Sequence, residues 1–168
     1  SIVTPKLFTA RHANLGGGPT IVSDYLFITD ADRILAVLPF SFDAGLNQLT
    51  TAIQQGATCV VMKFLFAKEI VAMLGKERIT GLAGVPSLWN LLVQKSSKLE
   101  QNPPEQLRYI TNTGGAMPLN NLADLRRLLP KTAVVLMYVL TEAFRSTYLP
   151  PGELDRRPTS IGKAIPCT

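Results

Sequence analysis

The sequence predicts an α/β protein: a three-layer sandwich with a mainly parallel sheet and helices on both faces. From Arg33 onward, short apolar runs rich in β-branched residues alternate with amphipathic stretches. That alternation marks strand–helix–strand units joined by right-handed crossovers. The run Val134-Val135-Leu136-Met137-Tyr138-Val139 is almost wholly apolar, as suits a strand buried on both faces. Small or polar residues follow two of the strands, at Gly114-Gly115 and Thr141-Glu142. Together these features describe a Rossmann-like sheet, in which ligands sit outside the carboxyl ends of the strands.

The elements follow in order. Residues 33–39 read as a strand, 44–54 as a helix, 58–62 as a strand and 68–76 as a helix. Residues 79–85 form the next strand, and 86–95 a helix opened by Pro86, whose fixed φ and missing N–H suit a first helical position. A strand at 107–111, a helix at 119–129 and a strand at 133–139 complete the series. Upstream, Gly16-Gly17-Gly18-Pro19 interrupts an amphipathic segment from Arg11 to Leu26. Each glycine costs about 1 kcal/mol in a helix and proline about 3, so two shorter elements are expected, the second starting at Pro19. The polar stretch 96–105, with Pro103-Pro104, reads as a surface excursion and not a domain boundary. After Leu149, the punctuation by Pro150, Pro151, Gly152, Pro158 and Pro166 allows only short strands or turns.

A chain of 168 residues is expected to form one unit, 1–168, with 150–168 as its proline-rich tail. No apolar run is long enough to span a bilayer and no signal-peptide pattern opens the sequence, so a cytoplasmic location is expected. Cys59 and Cys167 have neither metal-ligand spacing nor a disulfide framework, and read as free thiols. The net charge of +5 does not gather into a nucleic-acid motif. Arg126-Arg127 suit a solvated helix face and Arg156-Arg157 a loop. His12, the sole histidine, has no Ser or Cys motif beside it to suggest a triad and reads as a helix-start or hydrogen-bonding residue.

Thr141 and Glu142 emerge just past the carboxyl end of one buried strand, where a hydroxyl and a carboxylate can hold a phosphate and its metal ion. Gly114-Gly115 follows another, where missing side chains let a flat ring approach the backbone. Residue type alone leaves other roles open: Tyr138 as a core aromatic, Gly114-Gly115 as a turn, Glu142 as a helix-start carboxylate. Phe42 and Trp89 read as core residues ahead of substrate contacts.

Six segments, in order and spacing, resemble the AMP-forming acyl-CoA synthetase family: Pro5-Lys6, His12 to Leu15, Leu38 to Gly45, Gly84-Val85-Pro86, Asn112 to Pro118 and Tyr138 to Glu142. The run Leu140 to Pro151 is especially similar to acyl-CoA ligases associated with exosortase systems. The resemblance implies a two-step reaction: a carboxylic acid attacks the α-phosphate of Mg-ATP, and coenzyme A then takes the acyl group from the adenylate. It implies that Gly114, Gly115 and Ala116 line the adenine pocket with Tyr138 against the base. It implies Lys6 as a phosphate contact, Thr141 as a partner of the α-phosphate, and Glu142 as the magnesium ligand, the last two forming the catalytic pair. Phe42, Gly45, Val85 and Pro86 fall where the family shapes its acyl pocket.

The chain also departs from the family pattern. Ile2, Val3 and Leu7 stand where the family usually has Thr, Gly and Gly, and β-branched side chains hinder an anion nest. Val139 replaces the glycine of the family's Tyr-Gly pair. The segment before the phosphate loop, the downstream ribose-binding aspartate and the C-terminal domain with its lysine are expected to be missing. The expectation is an isolated nucleotide- and acyl-binding subdomain, redesigned or selected for folding alone, that does not complete the reaction. The alternatives are adenylation with a partner chain supplying the missing parts, and a self-associating structural module without ligand. Excision should bare apolar surface, with Leu7, Phe8, Phe27 and Phe64 as candidates for covering it in a homodimer.

Overall fold

Along each buried strand, successive side chains serve opposite layers. In a computed structural model that describes residues 11–140 and 146–166, Ile34, Tyr109, Val135 and Met137 pack with Val22, Leu26 and Ala52 on one face of the sheet. Their neighbours Leu35, Ile110, Val134 and Leu136, with Leu82, face the larger core on the other side. This alternation follows from the two-residue period of a strand. It requires helices on both faces.

Helix α1 (His12–Leu26) and α2 (Asp43–Gln55) cover the first face; α3 (Ala67–Lys76), α4 (Pro86–Leu92) and α5 (Leu119–Leu128) cover the second. Between them lie β1 (Arg33–Ala36), β2 (Thr58–Val61), β3 (Gly81–Gly84), β4 (Tyr109–Asn112), β5 (Ala133–Tyr138), β6 (Thr147–Leu149) and β7 (Lys163–Ala164). The sheet order is β2-β1-β3-β4-β5-β6-β7. The first five strands are parallel, while β6 and β7 add on antiparallel. The three-layer, mainly parallel architecture read from the sequence is therefore present. Its 2-1-3-4-5 parallel order is the flavodoxin-like variant of the doubly wound sheet, with a switch point between β1 and β3.

Two local readings are corrected. The segment 12–26 is one helix that runs through Gly16-Gly17-Gly18-Pro19. Its docking onto α2 outweighs poor propensity, as packing of one face commonly does. Val22 and Leu26 are buried, Gln54 Nε2 donates to Thr20 Oγ1 at 2.6 Å, and Gln55 Nε2 donates to Ser23 Oγ at 2.9 Å. The stretch 96–105 is more than a surface excursion, because Ser97 and Leu99 are buried in it. Ser97 Oγ donates to the Leu92 carbonyl at 2.6 Å and accepts from Leu99 N–H at 3.2 Å, which ties the loop to the end of α4.

At the amino ends of the strands, Asp32 is buried beneath Arg108. Its carboxylate accepts from Thr80 Oγ1 (2.6 Å), Thr29 N–H (2.9 Å) and the Arg108 guanidinium (2.7 and 2.8 Å). This cluster joins the segments leading into β1, β3 and β4. It leaves the opposite end of the sheet open to loops.

Candidate functional site

Chain connections leave β1 and β3 towards opposite sides of the sheet, so their carboxyl ends diverge and leave a crevice. Three loops meet there. Gly114 has φ +75°, a left-handed conformation that costs glycine nothing. A Cβ built on it would lie 3.1 Å from Val85 Cγ1 and 3.6 Å from Phe42 Cζ. One built on Gly115 would lie 3.2 Å from Pro86 Cγ. The loop after β4 thus lies directly against the ends of β1 and β3, which brings Gly114 and Gly115 together with Phe42, Val85 and Pro86.

Asn112, the last residue of β4, fixes this loop from below. It is 2% exposed, its Oδ1 accepts from Trp89 Nε1 at 2.9 Å, and its Nδ2 donates to the Gly115 carbonyl at 2.8 Å. Trp89 is fully buried and passes so close to β3 that a Cβ on Gly84 would lie 2.5 Å from its ring. A buried amide with both ends satisfied is a rigid strut. Trp89 is therefore a core residue, as its type suggested, and it positions the loop through Asn112.

Beyond the strut lies a cavity of about 490 Å³. Gly114, Gly115, Ala116 and Met117 form one wall, Tyr138 and Val139 a second, and Pro158, Thr159, Ser160 and Ile161 a third. The volume is within the range of small-molecule sites. Tyr138 ends β5 and is 42% exposed, so its ring is not a core filler. The third wall was not foreseen. It is held in place by antiparallel β6 and β7, by Thr147 Oγ1 donating to the Ile161 carbonyl, and by Gly162 N–H donating to Ser160 Oγ at 3.0 Å. The only sequence signal was the density of turn residues in the tail.

Gly45 is buried in the first turn of α2, where any side chain would collide with the Leu38 and Pro39 carbonyl oxygens. Its place is beneath the β1 loop. Phe42 is half-buried at the start of α2, against Leu38, Ala44, Ala83 and Val85. Two polar groups that sequence reasoning missed lie beside these residues. Both carboxylate oxygens of Asp43 and the hydroxyl of Thr113 are buried with no hydrogen-bond partner among the described residues. Asp43 follows Phe42 and Thr113 precedes Gly114, so both orphans adjoin the meeting point of the loops. Lys6, Thr141 and Glu142 lie outside the described residues, as do Ile2, Val3, Leu7 and Phe8. Among the described residues no cluster of three metal-ligating side chains occurs, and no helix is long and apolar enough to cross a membrane.

A larger cavity of about 870 Å³ lies between α3 and the 98–106 segment. It shares no lining residue with the cavity at the ends of β4 and β5 and has no buried orphan polar group among its lining residues.

Known proteins share this framework. The chain is 31% identical to an L-proline–[L-prolyl-carrier protein] ligase of Streptomyces coelicolor over 96% of its length, and spans 32% of that ligase. It is 30% identical to an indoleacetate–CoA ligase of Aromatoleum aromaticum over 80% of its length, spanning 26% of that protein. The structure of VinN in complex with L-aspartate superimposes with a TM-score of 0.88 and 26% identity, covering 98% of this chain and 41% of VinN. The inhibitor-bound N-terminal domain of FACL13 from Mycobacterium tuberculosis shares the fold with a TM-score of 0.87. The chain thus spans about a third of the length of its first curated relative. The AMP-binding enzyme model matches residues 4–168, and the chain belongs to that family.

Proposed function

We propose that this chain is the nucleotide- and acyl-binding subdomain of an ATP-dependent ligase that activates a carboxylic acid as its adenylate. The observation that carries the reading is the cavity at the ends of β4 and β5, with the Gly114-Gly115 loop and the Tyr138 side chain on facing walls. A planar base fits between a backbone without side chains and an exposed aromatic ring. In this reading Gly114, Gly115, Ala116 and Tyr138 hold the adenine of ATP or AMP. Phe42, Val85 and Pro86 enclose the acyl group, and Gly45 shapes that pocket by letting α2 approach the β1 loop. Lys6 and Thr141 contact phosphate and Glu142 holds magnesium. The chain by itself binds without completing acyl transfer to coenzyme A or another thiol.

A specific observation favours an amino acid as the carboxylic acid. Among the described residues the buried Asp43 carboxylate beside Phe42 has no partner, and an unpaired buried carboxylate is costly unless a cation completes it. The ammonium group of an amino acid supplies that cation. The prolyl ligase named above and the aspartate bound to VinN have the same substrate class.

Titration calorimetry tests both points. AMP should bind weakly, and Tyr138→Ala should reduce affinity by roughly tenfold, about 1.4 kcal/mol of stacking. Replacing Val139, which lines the cavity, with glycine should strengthen binding. A non-hydrolysable aminoacyl-adenylate should bind more tightly than a fatty-acyl one, and Asp43→Asn should remove that preference. Equal AMP affinity in the wild type and in Tyr138→Ala would place the nucleotide elsewhere.

A further inference from the structure

Among the described residues β2 is the terminal strand of the sheet, with β1 as its single strand neighbour. Thr58 N–H donates to the Asp32 carbonyl at 2.9 Å and Met62 N–H to the Ala36 carbonyl at 3.1 Å, so residues 58, 60 and 62 face β1. Backbone direction alternates along a strand. The N–H and C=O groups of Cys59 and Val61 therefore point away from the sheet. Folded proteins guard such edges with charge, proline, a bulge or a covering element, yet Thr58-Cys59-Val60-Val61 carries no charge and no proline. Exposed apolar side chains continue beside it, with Val61 at 62%, Leu65 at 86% and Phe66 at 60%.

We propose that β2 is a homodimerisation edge, on which a second copy of the same strand pairs antiparallel to continue the sheet across a two-fold axis. One register satisfies every outward backbone group. Cys59 stands opposite Val61 of the partner subunit, and Val60 stands opposite Val60 of the partner subunit on the axis. Each Cys59–Val61 pair then exchanges two backbone hydrogen bonds. The same register sets Lys63 opposite Ala57 of the partner subunit. Asp30 lies next to that position, its Cβ 3.6 Å from a Cβ built on Gly56. Lys63 and Asp30 make no ion pair within the described residues. The dimer therefore pairs two cations with two anions around an uncharged strand pair, and this charge complementarity selects a second copy as the occupant. The inference is independent of the ligand proposed above, because β2 takes no part in the nucleotide cavity.

Sedimentation velocity over a concentration series, joined to cysteine cross-linking, tests the edge. The unmodified chain should show a reversible monomer–dimer equilibrium. Val61→Lys places two lysines diagonally across the axis, where like charges repel, and should weaken dimerisation at least about tenfold without changing the far-ultraviolet dichroism. In a Cys59→Ser, Cys167→Ser background, Val60→Cys should form an intersubunit disulfide on oxidation. Opposed residues of a non-hydrogen-bonded antiparallel pair have Cα atoms about 4.5 Å apart, within disulfide reach. A chain that stays monomeric throughout the series overturns the proposal. So does a dimer that survives Val61→Lys and leaves Val60→Cys uncrosslinked, since that dimer would use another face, such as the one around exposed Phe27.

Discussion

Asp32 shows how one buried charge can hold three strands in register. Burial pushes its carboxyl up, but hydrogen bonds from Thr80, Arg108 and Thr29 N–H, with the Arg108 charge, outweigh burial and leave it below its ordinary value of 3.8. A carboxyl depressed in the folded state adds stability that is complete above the unfolded-state value. That stability drains away as pH falls through the lower folded value. The melting temperature should therefore be insensitive to this group at neutral pH and decline in acid. Asp32→Asn should flatten part of the acid decline and cost about 2–3 kcal/mol at neutral pH. Acid titration of the melting temperature for both proteins checks the sign; parallel curves would remove Asp32 from the acid transition. The sequence offered no hint of this cluster, because Asp32, Thr80 and Arg108 are brought together only by strand order. Asn112 is similar. Its place at the head of the Gly114-Gly115 loop is legible, whereas its bond to Trp89, 23 positions away, depends on α4 packing beneath β3.

Element identity was legible wherever hydrophobic period and turn residues agreed, as in β1 to β5 and α2 to α5. It failed at α1, where local chemistry and tertiary packing disagree. Gly16 and Gly17 are not needed for close approach. A Cβ on Gly16 or Gly17 would meet nothing within 4 Å, and neither residue has a positive φ. Replacing either with alanine should thus lower the entropy of the unfolded chain and favour the helix, stabilising the protein by about 0.5–1 kcal/mol each. Chemical denaturation measures the gain directly. A loss of stability would mean that α1 is not helical through this run. The tail gave the opposite lesson. Its turn-rich composition is correctly read as short strands and turns, yet composition cannot say that Pro158 to Ile161 closes the cavity, since β6 must first turn back along β5 to carry it there.

For the whole molecule, the parallel sheet imposes a gradient of stability from its centre to its edges. β3 and β4 have strand neighbours on both sides and are buried at every position, and β5 is buried through Val134 to Met137. Their amides can reach water only when both helical layers detach, so their exchange should report global unfolding. β1 belongs with them, because Ile34, Leu35 and Ala36 are all buried. β7 is exposed at both Lys163 and Ala164, and among the described residues its strand partner is β6 alone; it should open locally and take the Ser160-Ile161 wall of the cavity with it. AMP bound between that wall and the Gly114 loop should slow exchange in β7 and leave β3 unchanged. At the other edge, Cys59 and Val61 amides should exchange fast in dilute protein and slow as concentration rises, in step with dimer formation. Native-state hydrogen exchange at several concentrations, with and without AMP, separates the two edges in one experiment. If β7 were as protected as β4 without ligand, the tail would be part of the rigid core and the cavity a fixed cleft.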